Sequence, residues 1–310
     1  MKARNALTSS LPLPRASVGE GRGEGGTRRE ATLLLAPLVL FLLAILGFPF
    51  LANLAYGLTR FSFATLWQPS WVGLANYATA LRDPAFWAAL GFSLRFAVAA
   101  TLAEVLLGLV LALALEPLLA RHRWLMAFLL LPMMVSPALL GVMWRLLLNE
   151  FVGIVPAYLD QLGLSANLLG PEWVVTTLVL IEVLQWTPFA FLILFTGLQA
   201  IPAELLEAAR IDGAGAWQRL RRVVLPLLLP AIGIAAGVRF IDGFRVFDHV
   251  YMLTGGGPGT LTTSASIHVY KSFFQTDELG RAVAEAMLLF LASLLLVLLA
   301  TRLTLKGSRP

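Results

Sequence analysis

Residues 207–226 read EAARIDGAGAWQRLRRVVLP and lie between two long apolar segments. The first five residues of this stretch favour a helix, and Gly213 permits a backbone turn that residues with side chains resist. Pro226 suits the first turn of a new helix, because its missing N–H would have no intrahelical partner there. The stretch predicts a helix, a turn at Gly213 and a second helix. An amphipathic connector that ends in glycine is the ordinary alternative.

The composition of the chain is that of a membrane protein. Hydrophobic residues make up 58% of the chain and charged residues 13%, with a mean hydropathy of +0.81, values outside the range of soluble domains. A helix needs about 20 apolar residues to cross a bilayer, and prolines inside such runs are tolerated where neighbouring groups pair with the freed backbone. We predict an all-α integral membrane protein with six transmembrane helices, at residues 31–58, 89–116, 124–148, 173–199, 224–252 and 283–304.

The basic residues outside the apolar runs are distributed unevenly. If the amino terminus is inside, fifteen of them lie on the inner side and four, Arg60, Arg82, Lys271 and Arg281, on the outer side. This bias predicts that both termini and residues 200–222 lie in the cytoplasm. The pI of about 10.0 then needs no nucleic acid partner, because the charge is divided among short loops at the membrane edges. The inner residues are Lys2, Arg4, Arg15, Arg22, Arg28, Arg29, Arg121, Arg123, Arg210, Arg219, Arg221, Arg222, Arg302, Lys306 and Arg309.

Residues 1–30 are rich in Gly, Arg, Glu, Ser and Pro and contain few large apolar side chains. We predict that they form a disordered cytoplasmic tail, followed by a six-span domain at residues 31–310. Arg28 and Arg29 precede the first apolar run as in a signal peptide, but no small-residue cleavage site follows at the expected distance. The chain has no cysteine, so disulfides and thiolate ligands are excluded.

Six positions of residues 207–226 share their spacing with a known motif. The order Glu-Ala-Ala, three residues, Gly, nine residues, Ile-x-Leu-Pro marks the cytoplasmic EAA loop of the membrane subunits of binding-protein-dependent ABC importers, and this stretch resembles it, with Val223 in place of Ile. The resemblance implies the type I permease fold of these importers, in which the loop forms two short helices that dock into a cleft on the ATP-hydrolysing subunit. The implied ATPase-coupling residues are Glu207, Ala208, Ala209, Asp212, Gly213, Leu225 and Pro226.

Two further segments are similar to sugar-importer permeases. Residues 74–90 resemble the stretch Gly-Leu-x-Asn-Tyr…Asp-Pro-x-Phe-Trp-x-Ala-Leu of those proteins. Residues 251–270 resemble their Leu-Thr-x-Gly-Gly-Pro…Thr…Tyr segment. Both features are typical of the maltose-permease-like member of a permease pair. The resemblance covers nearly all of residues 31–305, but not the tail, and implies a permease that carries sugar by alternating access.

The same resemblance implies a set of partners and a location. The chain would form half of a translocation pore with a second permease, which we expect to be a different chain. It would work with two ATP-binding subunits, an extracytoplasmic sugar-binding protein and membrane lipid. It would lie as a multi-pass protein in the prokaryotic cytoplasmic membrane. ATP and Mg would be used by the partner ATPase, and we expect no cofactor to be bound by this chain.

Charged residues inside the apolar runs need an explanation, because each costs about 2.5–3.5 kcal/mol at the centre of a membrane helix. The densest set is Arg239, Asp242, Arg245 and Asp248, whose signs alternate at three-residue steps. Neighbours at this spacing can pair along one helix. One interpretation is therefore a self-neutralising ladder buried between helices.

The other interpretation places part of this set in the translocation pathway. Charged donors and acceptors beside aromatic rings suit a polyol, which has hydroxyls and apolar ring faces. A glutamine and a tryptophan beside Pro188 are a second candidate pair, although a buried glutamine more often bonds a neighbouring helix. The pathway candidates are Asp242, Arg245, Phe240, Phe244, Gln185 and Trp186.

The sequence shows no pattern for catalysis or for a metal site. Its three histidines fall in an inner loop, at a helix end and in an outer loop, without metal-ligand spacing. The glycines of residues 255–259 lack the Lys-Ser/Thr of a P-loop, so we expect ATP hydrolysis in a separate subunit. Two other functions stay open. One is a permease for a non-sugar solute, and the other is a stand-alone ion-coupled transporter with Glu104, Glu182 and Asp242 as its relay.

Overall fold

The computed structural model describes residues 24–122, 124–164 and 166–307. The chain divides into two compact units between Ala52 and Asn53, which are described separately. Within the described residues, strands β1 (Thr59–Arg60) and β2 (Ser70–Trp71) form one antiparallel pair, and the rest of the regular structure is helical. The helices are α1 (Glu24–Leu42), α2 (Phe48–Gly57), α3 (Ala75–Arg82), α4 (Pro84–Arg121), α5 (Trp124–Leu130), α6 (Pro137–Leu147), α7 (Ile154–Gln161), α8 (Val174–Gln199), α9 (Ala203–Ile211), α10 (Ala216–Arg219), α11 (Leu225–Phe244), α12 (Asp248–Thr254), α13 (Ala265–Phe274) and α14 (Leu279–Gly307).

Five helical segments of the described part are long and apolar enough to cross a membrane. Short π-helical segments make two of them continuous, one joining α1 to α2 and the other joining α10 to α11. Helices α5 and α6 together would make a sixth span, which agrees with the predicted number only if this bent pair counts as one. The five segments are Thr32–Gly57, Pro84–Leu119, Val174–Gln199, Ala216–Phe244 and Leu279–Leu299.

The third predicted span, residues 124–148, is wrong as a single straight helix. Its two parts, Trp124–Met134 and Pro137–Leu147, meet at 83°. Proline at 137 lacks the N–H that would continue the helix, and the residue before a proline disfavours helical backbone angles. Ser136 is accordingly non-helical, with φ −58° and ψ 132°. The freed carbonyl of Val135 accepts a hydrogen bond of 2.9 Å from Gln185 Nε2 on α8.

The fifth predicted span, residues 224–252, is also corrected, because α11 ends at Phe244 and α12 starts at Asp248. Hydroxyls at the start of α13 satisfy the carbonyls exposed in the intervening turn. Ser264 Oγ donates to the Val246 carbonyl at 2.7 Å, and Ser266 Oγ donates to the Arg245 carbonyl at 3.0 Å. The backbone can leave the helix here because its polar groups find other partners.

The predicted tail differs from the structure at its carboxyl end. Helix α1 begins at Glu24, so residues 24–30 are helical although we expected them to be disordered. Arg28, Arg29 and Glu30 have good helix propensities and extend the apolar helix toward the amino terminus. The prediction for residues 1–23 lies outside the described residues.

Helices α4, α8 and α11 approach one another closely at glycines. A Cβ atom added to Gly108 on α4 would lie 2.8 Å from the backbone nitrogen of Phe191 on α8. A Cβ added to Gly197 on α8 would lie 2.9 Å from Ala231 Cβ on α11. Small residues at such crossings let membrane helices pack backbone to backbone. These contacts make the three helices the packed centre of the second unit.

The crossing of α4 and α8 gives a direct test of this packing. Gly108→Ala should lower the free energy of unfolding by about 1–3 kcal/mol, because the added methyl group meets backbone that cannot move aside cheaply. Gly91→Ala on the same helix is the matched control, since nothing lies within 4 Å of a Cβ at that position. Thermal unfolding of the purified variants in detergent measures both. Equal stability of the two variants would contradict the close approach.

Candidate functional site

The centre of the second unit contains a buried ion-pair cluster of three side chains from three helices. Arg239 on α11 donates from Nε to Glu104 Oε2 at 2.6 Å and from Nη2 to Glu104 Oε1 at 3.1 Å. The same Nη2 donates to Glu182 Oε1 on α8 at 2.5 Å. The side chains of Arg239, Glu104 and Glu182 are 1%, 0% and 4% exposed. We call these three residues the buried charge cluster.

Two aromatic side chains complete the surroundings of the buried charge cluster. The Arg239 guanidinium lies 4.6 Å from the centre of the Trp186 ring, a cation–π contact. His249 Nε2 lies 3.5 Å from Glu182 Oε2, and neither atom has a hydrogen-bond partner among the described residues.

Asp242 and Arg245 lead from the buried charge cluster toward an open surface of the chain. Asp242 Oδ2 lies 3.5 Å from Arg239 Nη1, and Asp242 Oδ1 lies 3.8 Å from Arg245 Nη2. The side chains of Asp242 and Arg245 are 48% and 56% exposed. The predicted buried ladder along one helix therefore needs correction. Arg239 pairs mainly with other helices, and Asp248 belongs to α12.

The other four pathway candidates occupy different environments. Phe244 is buried, packs with Ala97 and Leu289, and stacks on half-buried Phe240 with ring centres 6.4 Å apart. Gln185 is fully buried, and its amide donates to the carbonyl at the break between α5 and α6. Trp186 is half-buried against Arg239. In the chain as described, only Asp242 and Arg245 of the six candidates present charge at a surface.

The predicted coupling loop consists of α9, a turn at Gly213 and α10. The Gly213 N–H donates to the Arg210 carbonyl at 3.0 Å, and the Ala214 N–H donates to the Ala209 carbonyl at 2.9 Å. Together with φ +78° at Gly213, these bonds form a Schellman motif that ends α9. The motif explains the spacing between Ala209 and Gly213. In a Schellman motif the left-handed residue lies four positions after the residue whose carbonyl accepts the longer bond, and here that residue is Ala209.

The surface of this loop is exposed and partly apolar. The side chains of Ile211 and Trp217 are 86% and 68% exposed. Of the predicted coupling residues, Glu207, Ala208, Asp212, Gly213 and Pro226 are exposed, whereas Ala209 and Leu225 are half-buried. The π-helical segment Leu220–Val224 joins α10 to α11, so the loop continues directly into the helix that carries Arg239.

The structure also brings together residues whose association the sequence did not reveal. The sequence grouped Arg239 with other charges of its own segment, and it grouped Glu104 and Glu182 only with Asp242 as a relay. The need of each buried charge for a partner was the available signal. His268, expected in an outer loop without ligand spacing, lies on α13 near Asp83 and Glu285. These three residues are separated by up to 202 positions in the chain, so no local spacing could have predicted the group.

Apolar helices of spanning length, a buried charge cluster and an exposed helix-turn-helix loop together define a multi-pass helical membrane protein. Residues 104–306 match the family model described as the binding-protein-dependent transport system inner membrane component. The chain belongs to this family and is the permease component of a binding-protein-dependent ABC importer. Members of this kind are transport subunits and not enzymes.

Two relatives and one solved structure illustrate the similarity. The trehalose/maltose transport system permease protein MalF of Thermococcus litoralis is 34% identical, covering 92% of this chain and 93% of MalF. The trehalose transport system permease protein SugA of Mycobacterium tuberculosis is also 34% identical, covering 85% of this chain and 84% of SugA. A bacterial alginate ABC transporter, solved in complex with an alginate pentasaccharide-bound periplasmic protein, has a similar fold. Its TM-score is 0.77 at 21% identity, with 92% of this chain and 97% of that chain covered.

The buried charge cluster predicts a strong asymmetry between two arginines of one segment. Arg239→Met should destabilise the protein by about 3–5 kcal/mol, because it leaves two carboxylates unpaired in a dry site. Arg245→Met, at a half-exposed position, should cost less than about 1 kcal/mol. The measurement is thermal unfolding in detergent together with the yield of monodisperse protein.

A third variant separates the loss of pairing from the loss of packing. Replacing all three charges, by Glu104→Gln, Glu182→Gln and Arg239→Met, should recover most of the stability lost in Arg239→Met, since no uncompensated charge remains. If the single variant is as stable as wild type, the cluster is not the dry ion-pair site described.

Proposed function

We propose that this chain forms half of the translocation pore of an ATP-driven sugar importer and is coupled to its ATPase through residues 200–222. The observation that supports this most directly is the exposed loop in which a Schellman motif fixes Gly213 between α9 and α10. Ile211 and Trp217 expose apolar side-chain area on that loop, and the described part of the chain leaves most of this area uncovered. Such exposed area suits a protein partner.

The coupling residues divide into two groups by their position. Glu207, Ala208 and Asp212 are exposed and would meet the ATPase, while the turn at Gly213 sets the direction in which α10 leaves α9. Leu225 and Pro226 begin α11 and would transmit a movement of the loop into the spanning helix. Closure of the ATPases on ATP would thus move this segment as a lever during alternating access.

The partners and orientation in this proposal follow from the family and from the basic residues. The permease would pair with a second permease, two cytoplasmic ATP-binding subunits and an extracytoplasmic sugar-binding protein within the lipid of a prokaryotic inner membrane. ATP and Mg would be held by the ATPase, and no cofactor by this chain. The excess of basic residues supports a cytoplasmic position for both termini and the coupling loop.

The sugar class is supported by two independent observations. The named relatives MalF and SugA are permeases for trehalose, or for trehalose and maltose. In this chain Asp242 and Arg245 are half-exposed and only 3.8 Å from each other at their closest atoms, so both keep hydrogen-bonding capacity for a ligand. Carboxylate and guanidinium groups bind adjacent hydroxyls of a sugar well.

The turn at Gly213 provides the test of coupling. Gly213→Val should abolish ATP-dependent uptake while the protein remains inserted, because a β-branched residue resists φ +78° and would redirect α10. Gly215→Val is the matched control. Gly215 has φ −65°, and nothing lies within 4 Å of a Cβ at either glycine. Uptake of labelled trehalose or maltose is measured in cells with the cognate ATPase and binding protein, at equal membrane levels. Equal uptake by the two variants would refute coupling through this turn.

The sugar contact is tested by removing both half-exposed charges at once. The double variant Asp242→Ala with Arg245→Ala removes both members of this pair, so neither charge is left without the other. Arg239 keeps its contacts with both glutamates. If the pair contacts sugar, uptake should fall at least tenfold, because one lost charge-assisted hydrogen bond is worth about 1.5–3 kcal/mol. Wild-type uptake of each disaccharide by a normally folded double variant would show that these residues only neutralise each other.

A further inference from the structure

A second cluster of ionisable side chains joins the start of α4 to α13 and α14, on the side of the protein that we assign to the outside. Asp83 precedes α4 and accepts a hydrogen bond from the Ala85 N–H at 2.8 Å, His268 lies on α13, and Glu285 lies on α14. His268 Nε2 is 3.5 Å from Glu285 Oε1 and 3.9 Å from Asp83 Oδ2. One possible ligand atom from each residue falls within 4.8 Å of the others.

These separations are near those of ligand atoms on a tetrahedral metal ion. Zinc binds imidazole nitrogen and carboxylate oxygen at about 2.0–2.2 Å, so two ligand atoms on one tetrahedral ion are about 3.4 Å apart. The distances from His268 Nε2 to the two carboxylate oxygens, 3.5 Å and 3.9 Å, are near that value, and one ligand atom from each of the three residues falls within 4.8 Å of the others. The three ligands come from different elements, and a fourth position would be open to water, as zinc sites with three protein ligands allow.

Two atoms of this cluster have unused bonding capacity. Glu285 is fully buried, and its Oε2 has no hydrogen-bond partner among the described residues. His268 Nε2 is buried and likewise without a hydrogen-bond partner in the described part of the chain. A buried carboxylate oxygen left unpaired is costly. A metal ion bound by His268 Nε2 and Glu285 Oε2 would satisfy both atoms and leave Glu285 Oε1 to Arg281.

Arg281 contacts the same carboxylates and suits an outer-shell role. Its Nε donates to Glu285 Oε1 at 2.9 Å, its Nη2 donates to Asp83 Oδ2, and its Nη1 lies 3.1 Å from Glu278 Oε2. Metal-binding carboxylates are commonly held in place by such hydrogen bonds.

We propose that Asp83, His268 and Glu285 form a Zn²⁺ site that fastens the start of α4 to α13 and α14. The nitrogen ligand selects zinc or a similar transition metal, because Ca²⁺ and Mg²⁺ are bound through oxygen. The site lies apart from the buried charge cluster and from the coupling loop, so it is independent of the proposed sugar transport. Its binding would stabilise the outer ends of these helices.

Co²⁺ is the spectroscopic probe for this site. The full-length chain, purified in detergent through a tag without histidine and freed of metal, should bind one Co²⁺ with the visible absorption of tetrahedral coordination. Added Zn²⁺ should remove that absorption and raise the thermal unfolding midpoint. His268→Gln should abolish both effects, whereas His122→Gln, at an exposed histidine away from the cluster, should preserve them.

A second variant keeps the test valid if His268→Gln folds poorly. His268→Cys retains a metal ligand and should add a cobalt–thiolate absorption band, which has no background because the native chain contains no cysteine. Absence of saturable Co²⁺ absorption in the wild type would overturn the proposal. So would loss of binding in His122→Gln with retention in His268→Gln, or a folded His268→Cys variant without the thiolate band.

Discussion

The pairing of one buried guanidinium with two carboxylates is the constraint on which the centre of this permease depends. Arg239, Glu104 and Glu182 come from α11, α4 and α8, and all three side chains are almost without solvent contact. A charge in such a place is tolerated only with its partners, so none of the three helices can rotate or slide alone without stranding a charge. Glycine crossings act in the same direction, because they leave no space between the backbones of these helices. Ion pairs and packing therefore make α4, α8 and α11 one mechanical body.

This rigidity contrasts with the neighbouring α5 and α6, where the chain is interrupted near two prolines and bent by 83°. The break is stabilised from the rigid body, since Gln185 on α8 donates to the Val135 carbonyl that the interruption exposes. Gln185 is fully buried, and its Nε2 is used to bond this carbonyl within the protein. Asp242 and Arg245 differ from Gln185 in this respect. Both are half-exposed, and their ion pairs are long, with Asp242 at 3.5 Å from Arg239 and at 3.8 Å from Arg245. Groups with spare bonding capacity at a surface are better suited to meet a solute than groups that complete the core.

The parts of this structure that the sequence predicted well are those governed by local chemistry. Long apolar runs determine where α4, α8 and α14 lie, and glycine and helix propensities determine the turn at Gly213. The errors arose where distant groups decide the outcome. Helix α11 ends before Arg245 because Ser264 and Ser266 supply hydrogen bonds to the turn, and neither hydroxyl is visible to a hydropathy window. The partners of Arg239 lie 135 and 57 positions away, and the nearby Asp242 is the weaker of its contacts. A periodic sign pattern along one segment was therefore a poor guide to pairing.

The coupling loop and the buried charge cluster are parts of one helical rod. Segment Ala216–Phe244 is continuous over 29 residues, through α10, the π-helical segment and α11, which corresponds to about 43 Å at 1.5 Å per residue. One end carries the exposed loop, and the other carries Arg239, Asp242 and the turn at Arg245. Pro226 and Pro230 both lie inside this continuous segment and lack the N–H that would bond to the preceding turn, so the segment is held straight by its packing rather than by an unbroken ladder of hydrogen bonds. In the proposed coupling, a displacement of the loop that is carried along this segment to Arg239 would also move α4 and α8, because their glutamates hold the guanidinium. Asp242 and Arg245 would then move with the packed centre, at its edge.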